Sequence, residues 1–352
     1  MNRKIITVIA AVVLLTVITM LIKRETSFVS QPAGIAVQET YPKRMIRNVE
    51  VKNYNIVGEK ISFYDRVPQR VVAVGENINE TLVALGVEDK IICSVKYGNP
   101  YYVPEEKYAE RYNKIHFESG IILNTETVLA LAPDLIISGQ SLFTNKGLKS
   151  TEFWNQRNIH TFLPENANSP ALRNHRESLE LEYKFIAGLG MIFNKEEQAG
   201  KIIAEMQETV KNVQSRIRGR RKPKVMIVEG LGKNLVAYDD SKLAGDICTR
   251  LGAYVPSSPF GTVGLEYLLA EDPDVIFVVK SGGDPEAAAE YFKNIPALQS
   301  LKAVRNNRIC GIALNYTYNS AIKTGSGIKK WLNVYIRICL ISKMAKIIFY
   351  FL

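Results

Sequence analysis

The side chains best suited to ligand binding follow predicted β-strands and combine phenol rings, amides, carboxylates and amines. In an open parallel sheet, ligands bind beyond the carboxyl ends of the strands, and two such sheets facing each other enclose a cleft. Tyrosine offers a flat apolar surface and a hydroxyl group at a small rotamer cost. The candidates in the first half of the chain are Glu76, Asn77, Lys96, Tyr97, Tyr101, Gln140, Ser141 and Phe143, and those in the second half are Tyr238, Phe260, Thr262, Lys280, Tyr316 and Tyr318.

This set predicts non-covalent binding of a large ligand. A planar or macrocyclic molecule suits tyrosine-rich walls, and Lys96 and Lys280 provide cations for its anionic groups. The alternative to a ligand contact, for each tyrosine, is a half-buried ring on the protein surface. The set as a whole therefore supports the prediction better than any single member does.

The sequence lacks the motifs of the common catalytic sites. Glu229–Asn234, EGLGKN, is rich in glycine but does not match the phosphate-binding loop G-x-x-x-x-G-K-[ST]. Neither the G-x-S-x-G nucleophile elbow nor the H-E-x-x-H zinc helix is present. We therefore expect no catalytic residues and no bound cofactor. An α/β enzyme is the rival interpretation, but no catalytic motif supports it.

The residue types that bind metals are scattered. His116, His160 and His175 form no H-x-x-x-H pair, so direct binding of a bare metal ion is not expected. His116 either reaches the metal centre of a ligand through its imidazole or is a loop residue with a satisfied hydrogen bond. The cysteines form no C-x-x-C motif, so we expect buried free thiols, with a disulfide in an exported protein as the alternative. They are Cys93, Cys248, Cys310 and Cys339.

One segment occurs twice, 140 residues apart. ETVLALAPDLIIS begins at Glu126 and EYLLAEDPDVIFV begins at Glu266, with six identities in 13 paired positions. Each copy predicts a short helix that a proline ends, followed by an apolar run typical of a strand buried on both faces of a parallel sheet. The repeat predicts two lobes of similar build, and the alternative is a chance likeness between two helix–strand joins.

The elements around the two copies alternate between strand and helix, which indicates parallel βαβ units. Val71–Val74, Asn79–Leu85 and Lys90–Ser94 give strand, helix and strand, and Arg44–Phe63 gives a hairpin. Further predicted elements are a strand in KPKVMIVEG and helices at Leu243–Leu251 and Pro285–Lys293.

A long helix is predicted between the lobes at Lys195–Arg218, because its apolar residues recur every three or four positions. Asn194 is its expected N-cap, and an earlier helix is expected at Leu172–Leu189. The fold prediction is an α/β chain of two Rossmann-like lobes with mainly parallel sheets, joined by one long α-helix in a single crossing. This stiff connection predicts small hinge motion. The predicted limits are 44–170 for the N-terminal lobe, 171–219 for the helical connector and 220–352 for the C-terminal lobe.

The N-terminus predicts attachment to a membrane. Ile5–Ile22 is a run of 18 residues without a charge, which as a helix would span roughly 27 Å, close to a bilayer core. A retained anchor at residues 1–24 is favoured over a cleaved signal, because no small-x-small cleavage pattern precedes Lys23. Residues 25–43 then form a tether, and the body lies on the extracytoplasmic face of the cell membrane, periplasmic or on the cell surface.

Composition excludes a disordered chain, with 47% hydrophobic and 23% charged residues. The net charge is +10, and the basic residues are spread along the chain apart from one run at Arg216–Lys224. No zinc finger or RNA-binding signature accompanies that run, so no nucleic-acid partner is expected. Attraction to an anionic membrane surface or cell wall is the simpler interpretation.

Two stretches resemble a known family: VPQRVVAVGENINETLVALGVEDKIICSV from Val67 and LNTETVLALAPDLIIS from Leu123. They are similar to the helical-backbone, or class III, substrate-binding proteins of ABC importers, over roughly Tyr41–Trp331. The resemblance implies capture of an iron–siderophore complex, haem or a corrinoid such as vitamin B12 between the lobes, and delivery to a permease dimer with its ATPase. The alternatives are a stand-alone surface receptor for haem or cobamides and a membrane-anchored α/β enzyme.

The same resemblance implies a docking role for Glu126 and Glu266. In this family, one acidic residue of each lobe lies shortly before the Pro-Asp pair and meets basic residues of the permease dimer. Such charge pairs set the register and speed association more than they add affinity. The alternative is a pair of ordinary first-turn glutamates that the helix dipole stabilises.

The last 21 residues, LNVYIRICLISKMAKIIFYFL, depart from the family pattern. They are apolar but include Arg337, Lys343 and Lys346, and these charges argue against a second membrane span. A coding irregularity is the favoured explanation and would remove the last helix of the second lobe. An amphipathic surface helix is the alternative.

Overall fold

The computed structural model describes residues 43–53, 56–96, 102–118, 123–166, 176–231, 234–258, 262–318 and 321–333, all within one compact unit, Pro42–Leu352. The predicted anchor Ile5–Ile22 and the unusual tail from residue 334 onward lie outside these residues. Within the described ranges, no helix is both long enough and apolar enough to cross a bilayer.

An antiparallel hairpin precedes the first parallel sheet, as the sequence predicted. Its strands are β1 (Arg44–Asn53) and β2 (Ile56–Tyr64). The backbone N–H of Val51 donates to Thr151 Oγ1 at 2.8 Å, and that of Leu163 donates to Asn48 Oδ1 at 3.2 Å. These bonds attach the hairpin to the N-terminal lobe.

The N-terminal lobe is built on a five-stranded sheet in which every neighbouring pair of strands is parallel. The strand order is β5-β4-β3-β6-β7. Val71 and Ala73 belong to one buried cluster and Val72 and Val74 to another, so helices cover both faces of the central strand, which explains its unbroken apolar run. The elements are β3 (Val71–Val74), α1 (Glu76–Leu85), β4 (Ile91–Val95), α2 (Glu106–Tyr112), β5 (Phe117–Glu118), α3 (Thr125–Leu131), β6 (Leu135–Ile137), α4 (Thr151–Asn155) and β7 (His160–Phe162).

Two antiparallel helices follow, α5 (Leu179–Phe193) and α6 (Glu196–Ile217). The long helix α6 lies within one residue of its predicted bounds at each end. Met206 packs in the N-terminal lobe's core and Val213 in that of the C-terminal lobe, so α6 contacts both. The predicted N-cap is wrong: Asn194 takes the left-handed conformation that ends α5, and Lys195 occupies the N-cap without a side-chain bond.

The prediction of a single crossing is also wrong. In α5, Leu179 lies in the core of the C-terminal lobe and Leu189 in that of the N-terminal lobe. The chain has already reached the second lobe before α5, because the N–H of Glu177 donates to the Ser241 carbonyl at 2.8 Å. Ser178 then caps α5 through its side chain, which explains why the helix starts later than the predicted Leu172.

The C-terminal lobe also contains a five-stranded sheet, in the order β10-β9-β8-β11-β12. β8, β11 and β12 are parallel, and β9 and β10 extend the sheet in antiparallel fashion, so the sheets are mainly parallel as predicted. The elements are β8 (Val225–Leu231), β9 (Asn234–Ala237), α7 (Leu243–Arg250), β10 (Thr262–Val263), α8 (Leu265–Glu271), β11 (Val275–Lys280), α9 (Pro285–Lys293), α10 (Lys302–Arg305) and β12 (Ile309–Ala313).

Residues 321–333 form a third connection between the lobes, and residues 323–333 of it are helical. Ile322 packs in the core of the N-terminal lobe, whereas Ile328 and Trp331 pack in that of the C-terminal lobe. About three turns of a last helix are therefore in place, and they include Leu332 and Asn333, the first two residues of the unusual tail.

The two copies of the repeated segment adopt the same local structure. Ala132 and Asp272, which end α3 and α8, are both left-handed, with φ of 45° and 39°. Behind each helix, a basic side chain caps a carbonyl: Arg70 reaches Leu131 and Lys224 reaches Glu271, each at 2.7 Å. Both copies are therefore helix–strand units of the same local build, as the repeat predicted.

Candidate functional site

The carboxyl edges of the two sheets face each other. Asn77 lies in the first turn of α1, directly after β3, and its Nδ2 donates to the carbonyl of Asn315 at 3.3 Å. Asn315 belongs to the 3-10 turn that follows β12. This is the arrangement that the predicted cleft requires, with residues from the two strand ends in direct contact.

The backbone at the end of β3 is held in place by hydrogen bonds. Gly75 has φ of 107°, a conformation that favours glycine, and its N–H donates to the Val95 carbonyl at 2.9 Å. The Asn79 amide donates to the Gly75 carbonyl at 2.8 Å. These bonds set the positions of Glu76, which is buried, and of the half-buried Asn77 at the cleft edge.

The remaining candidates of the N-terminal lobe differ in exposure. Lys96 is exposed, and its Nζ lies 4.2 Å from the centroid of the Phe117 ring in a cation–π contact. Ser141 is exposed, whereas Gln140 is buried and its Oε1 has no hydrogen-bond partner among the described residues. Tyr97 and Tyr101 lie outside those residues.

Phe143 does not lie on a cleft wall. Its side chain is fully buried and packs in the same cluster as Leu148 and Trp154. The 3-10 turn after β6 directs the ring into the core, so the sequence prediction of a ligand contact is wrong for this residue in this structure.

In the C-terminal lobe, Tyr238 is fixed by a carboxylate that the sequence analysis did not select. Its hydroxyl donates to Glu229 Oε2 at 2.6 Å, and burial, followed by the charge of Glu229, raises the pKa of Tyr238 far above its usual value. Tyr318 is close enough to contribute to the same shift. Thr262 and Lys280 are exposed, and Phe260 lies outside the described residues.

A buried ion-pair network joins the lobes next to the cleft, and sequence reasoning missed it. Lys323 Nζ lies 3.1 Å from Glu80 Oε2 and 3.3 Å from Glu105 Oε1, and the side chains of Lys323 and Glu80 are 1% and 0% exposed. Tyr102 donates to Glu80, and the Lys323 ammonium also lies 6.0 Å from the centroid of the Tyr316 ring. Burial raises the pKa of Glu80, and Lys323 opposes that rise.

Tyr316 therefore lies beside this network, at the end of β12. Burial is the main cause that raises its pKa to about 12, and the charge of Glu105 adds to it. No local sequence signal marks the network, because Glu80 and Lys323 are far apart in the chain.

A second set of buried hydrogen bonds holds the same stretch, which we call the bridging segment (residues 321–326). The carboxylate of Glu182 accepts from the Ala321 N–H and from Thr324 Oγ1, and from Asn166 Nδ2 at 2.5 Å. Burial raises the pKa of Glu182 to about 7, although these hydrogen bonds oppose the shift. These bonds fix the bridging segment, which leads into the C-terminal lobe, to Glu182 of α5.

Glu126 and Glu266 are exposed in the first turns of α3 and α8. Thr125, which starts α3, donates to the Gly147 carbonyl in the loop after β6, whereas Arg70 at the amino edge holds the end of α3. The first turn of α3 thus lies at the carboxyl edge of its sheet, on the side of the cleft. Lys224 likewise holds the C-terminal end of α8, by donating to the Glu271 carbonyl.

The fold does not bring the residue types that bind metals together within the described ranges. Within the described ranges, no group of three or more His, Cys, Asp or Glu side chains could hold a metal ion. His116 Nε2 is exposed 3.6 Å from Glu118, and His160 stacks on Tyr64 with ring centroids 4.1 Å apart. His175 and Cys339 lie outside the described residues. Cys93 and Cys248 are buried free thiols, as expected.

Comparisons with known proteins agree with this architecture. A family model described as periplasmic binding protein matches residues 71–314, from the first strand of one parallel sheet to the last strand of the other. The solved structure of a periplasmic binding protein from Veillonella parvula superposes with a TM-score of 0.75 at 29% identity, and the match covers 88% of this chain and 96% of that one.

Two characterised proteins match in sequence. The ferric-anguibactin-binding protein FatB of Vibrio anguillarum is 24% identical over 253 residues, 69% of this chain and 74% of FatB. The iron-uptake system-binding protein of Bacillus subtilis is 27% identical over 197 residues, 53% of this chain and 57% of that protein, so the match spans little more than half of it. The family match, the two facing sheet edges and the long connecting helix lead to one conclusion: the chain belongs to the periplasmic binding protein family, as an extracytoplasmic solute-binding protein of the class III type.

Proposed function

We propose that this protein captures an iron complex of the siderophore type between its lobes and delivers it to an ABC permease dimer with its ATPase. The observation that carries the proposal is the Asn77–Asn315 contact, which joins the carboxyl edges of two sheets in a family whose relatives include a ferric-anguibactin-binding protein. Haem and corrinoids are the other ligand classes of the same proposal.

The chemistry around the cleft supports a bulky anionic ligand. Lys96 and Lys280 are exposed cations near the strand ends, and Tyr316 and Tyr318 are half-buried rings after β12. The acceptors Gln140 Oε1 and Asn315 Oδ1 are buried without a partner among the described residues, which a hydroxyl or amide donor of a ligand would satisfy. The other proposed contacts are Glu76, Asn77, Tyr97, Tyr101, Ser141, Tyr238, Phe260 and Thr262.

We infer a binding protein and not an enzyme. Tyr238, at the cleft, keeps its proton because burial and the charge of Glu229 raise its pKa. A base needs a pKa near the working pH, so this phenol is suited to hydrogen bonding and stacking and not to proton transfer.

Attachment and docking complete the proposal. Residues 1–24 serve as the membrane anchor, 25–43 as the tether, 44–170 and 220–352 as the lobes, and 171–219 as the connector between them. Glu126 and Glu266 meet basic residues of the permease dimer, and their exposed positions at the cleft side support this role. A stand-alone receptor would need no such docking.

Isothermal titration calorimetry on the purified protein tests the ligand. The ligands titrated are a ferric catecholate, a ferric hydroxamate, haem and cobalamin, and we expect one of the two ferric siderophores to bind, with one molecule per protein. A folded protein, checked by circular dichroism, that binds none of the four would refute the proposal. Charge reversal in a Glu126→Lys, Glu266→Lys double variant is expected to leave calorimetric affinity unchanged and to stop cellular uptake; normal uptake would point to the receptor alternative.

A further inference from the structure

The hairpin that precedes the first parallel sheet exposes large apolar side chains on its outer face. Met45 is 59% exposed, Phe63 51% and Ile61 46%. Met45 and Phe63 are direct partners across β1 and β2, and Ile61 lies two residues from Phe63, so all three side chains are on one face. They form a continuous apolar patch, which we call the outer face of the hairpin.

The opposite face of the hairpin is the one that packs on the protein. Ile46 and Tyr64 are buried in the core of the N-terminal lobe, and Asn48 is buried beside them on the same side of β1. A two-sided antiparallel sheet with one face on the core usually carries polar residues on the other face. The apolar outer face is therefore not explained by the fold of the hairpin, and exposed apolar patches mark surfaces that bind a partner or a membrane.

Basic residues accompany the apolar patch. Residues 43–66 include six lysines and arginines against three acidic residues, and Lys43 Nζ lies 5.3 Å from the centroid of the Phe63 ring. Arg47 is exposed on the outer face, where it pairs with Glu59 at 3.1 Å. Aromatic rings beside basic side chains are typical of the boundary between lipid headgroups and acyl chains. A second copy of the chain would bring two positive faces together, so the charge favours an anionic lipid surface over self-association.

The hairpin is also the first element of the body after the proposed tether. Strand β1 begins at Arg44, and residues 25–43 span at most about 65 Å even when fully extended. The family model begins at residue 71, so the hairpin lies before the part of the chain that it matches. The candidate cleft residues and the two docking glutamates all lie beyond the hairpin in the chain. A contact at its outer face therefore uses no group of the cleft.

We propose that the outer face of the hairpin rests on the anionic surface of the membrane to which the chain is anchored. Met45, Ile61 and Phe63 then lie among the lipid headgroups and upper acyl chains, with Lys43 and Arg47 beside lipid phosphates. The anchor holds the hairpin near the lipid, so this second contact is intramolecular and needs little affinity of its own. The inference rests on the proposed function, because that function supplies the anchor.

Photo-crosslinking of the full chain in vesicles of phosphatidylcholine and phosphatidylglycerol tests the contact. Benzoylphenylalanine replaces Phe63 or, as the control, Tyr254, an aromatic residue of similar exposure (54%) that pairs with Lys224 at the end of the basic run. We expect mass spectrometry to find a lipid adduct at position 63 and about tenfold less at position 254. Equal yields would show that charge alone draws the protein to lipid and would overturn the inference. An adduct at position 63 with a second copy of the chain or with residues 334–352, in place of lipid, would also overturn it.

The contributions of charge and of the apolar side chains are measured separately. In vesicles of phosphatidylcholine alone we expect about tenfold less adduct at position 63, because the cations then lack anionic lipid. A Met45→Gln, Ile61→Gln variant that carries the same probe should give about fivefold less adduct, with Tyr291→Gln, at an exposed position of the other lobe, unchanged. Circular dichroism checks that each variant is folded. Equal yields in either comparison would overturn the part of the inference that it measures.

Vesicle flotation separates a failure of the inference from a failure of the anchor. A chain that floats with the vesicles but gives no lipid adduct at position 63 overturns the inference and leaves the anchor in place. A chain that does not float overturns both. Calorimetric ligand affinity of the same preparation tests the capture of an iron complex independently of either result.

Discussion

Replacement of Lys323 by methionine is the sharpest test of how the lobes are held together. The ammonium group makes a hydrogen bond to the Val103 carbonyl at 2.6 Å and ion pairs to Glu80 and Glu105 at 3.1 and 3.3 Å. Removing one partner of a buried ion pair costs about 3–5 kcal/mol. Glu80 keeps two donors, the Tyr102 hydroxyl and the Glu105 N–H, so we expect the lower end, about 3 kcal/mol of unfolding free energy.

The loss should depend on pH. Burial already raises the folded pKa of Glu80 with Lys323 present, and without the lysine the pKa rises further. A carboxyl whose folded pKa is raised binds more protons in the folded state, so its stabilising contribution is present at low pH and disappears as the pH rises through the folded pKa. The variant should therefore lie closest to the unmodified protein in acid and furthest from it at neutral pH.

Urea denaturation, followed by circular dichroism between pH 4.5 and 8, measures both effects. Lys330→Met is the matched control, because Lys330 is an exposed lysine of the same helix whose Nζ lies 5.0 Å from the Tyr316 ring. We expect the control to cost at most about 1 kcal/mol. A Glu80→Gln, Lys323→Met double variant should recover part of the loss, since no buried charge is left unpaired. A loss below about 1 kcal/mol for Lys323→Met at neutral pH, or one independent of pH, would refute this account of the network.

Three further outcomes are expected. The unmodified protein should lose about 3 kcal/mol of stability as the pH rises from the ordinary pKa of 4.5 to the folded pKa of Glu182, about 7. Glu182→Gln should remove this loss. Identical pH profiles of the variant and the unmodified protein in urea denaturation would contradict the prediction. Ala132→Gly should stabilise by about 1 kcal/mol, because alanine is strained at φ of 45°, and a lower urea midpoint would show that the strain is absent. Phe143→Ala should cost about 3–5 kcal/mol of stability, because its ring is fully buried, and should leave calorimetric ligand affinity within a factor of about two. A large loss of affinity without destabilisation would show that Phe143 contacts the ligand.

Prediction from the sequence was most accurate where local periodicity decides the structure. The apolar spacing of α6 predicted its bounds within one residue, and the repeat predicted two equivalent helix–strand units that the left-handed Ala132 and Asp272 confirm. It failed where neighbouring signals compete. Asn194 has the side chain of an N-cap, but its tolerance of the left-handed conformation made it the end of α5. Phe143 follows a strand, as a cleft residue would, but the 3-10 turn directs its ring inward.

The two α/β lobes, the long helix, the repeat and the family could be predicted from the sequence, because helical and strand periodicities and motif order are properties of neighbouring residues. The contacts between groups that are distant in the chain are visible only in the folded protein. Lys323 reaches Glu80 and Glu105, Glu182 accepts from Ala321, and Asn77 donates to Asn315, all between segments far apart in the chain. No local pattern encodes these contacts, since each joins residues that lie on different elements and far apart in the chain.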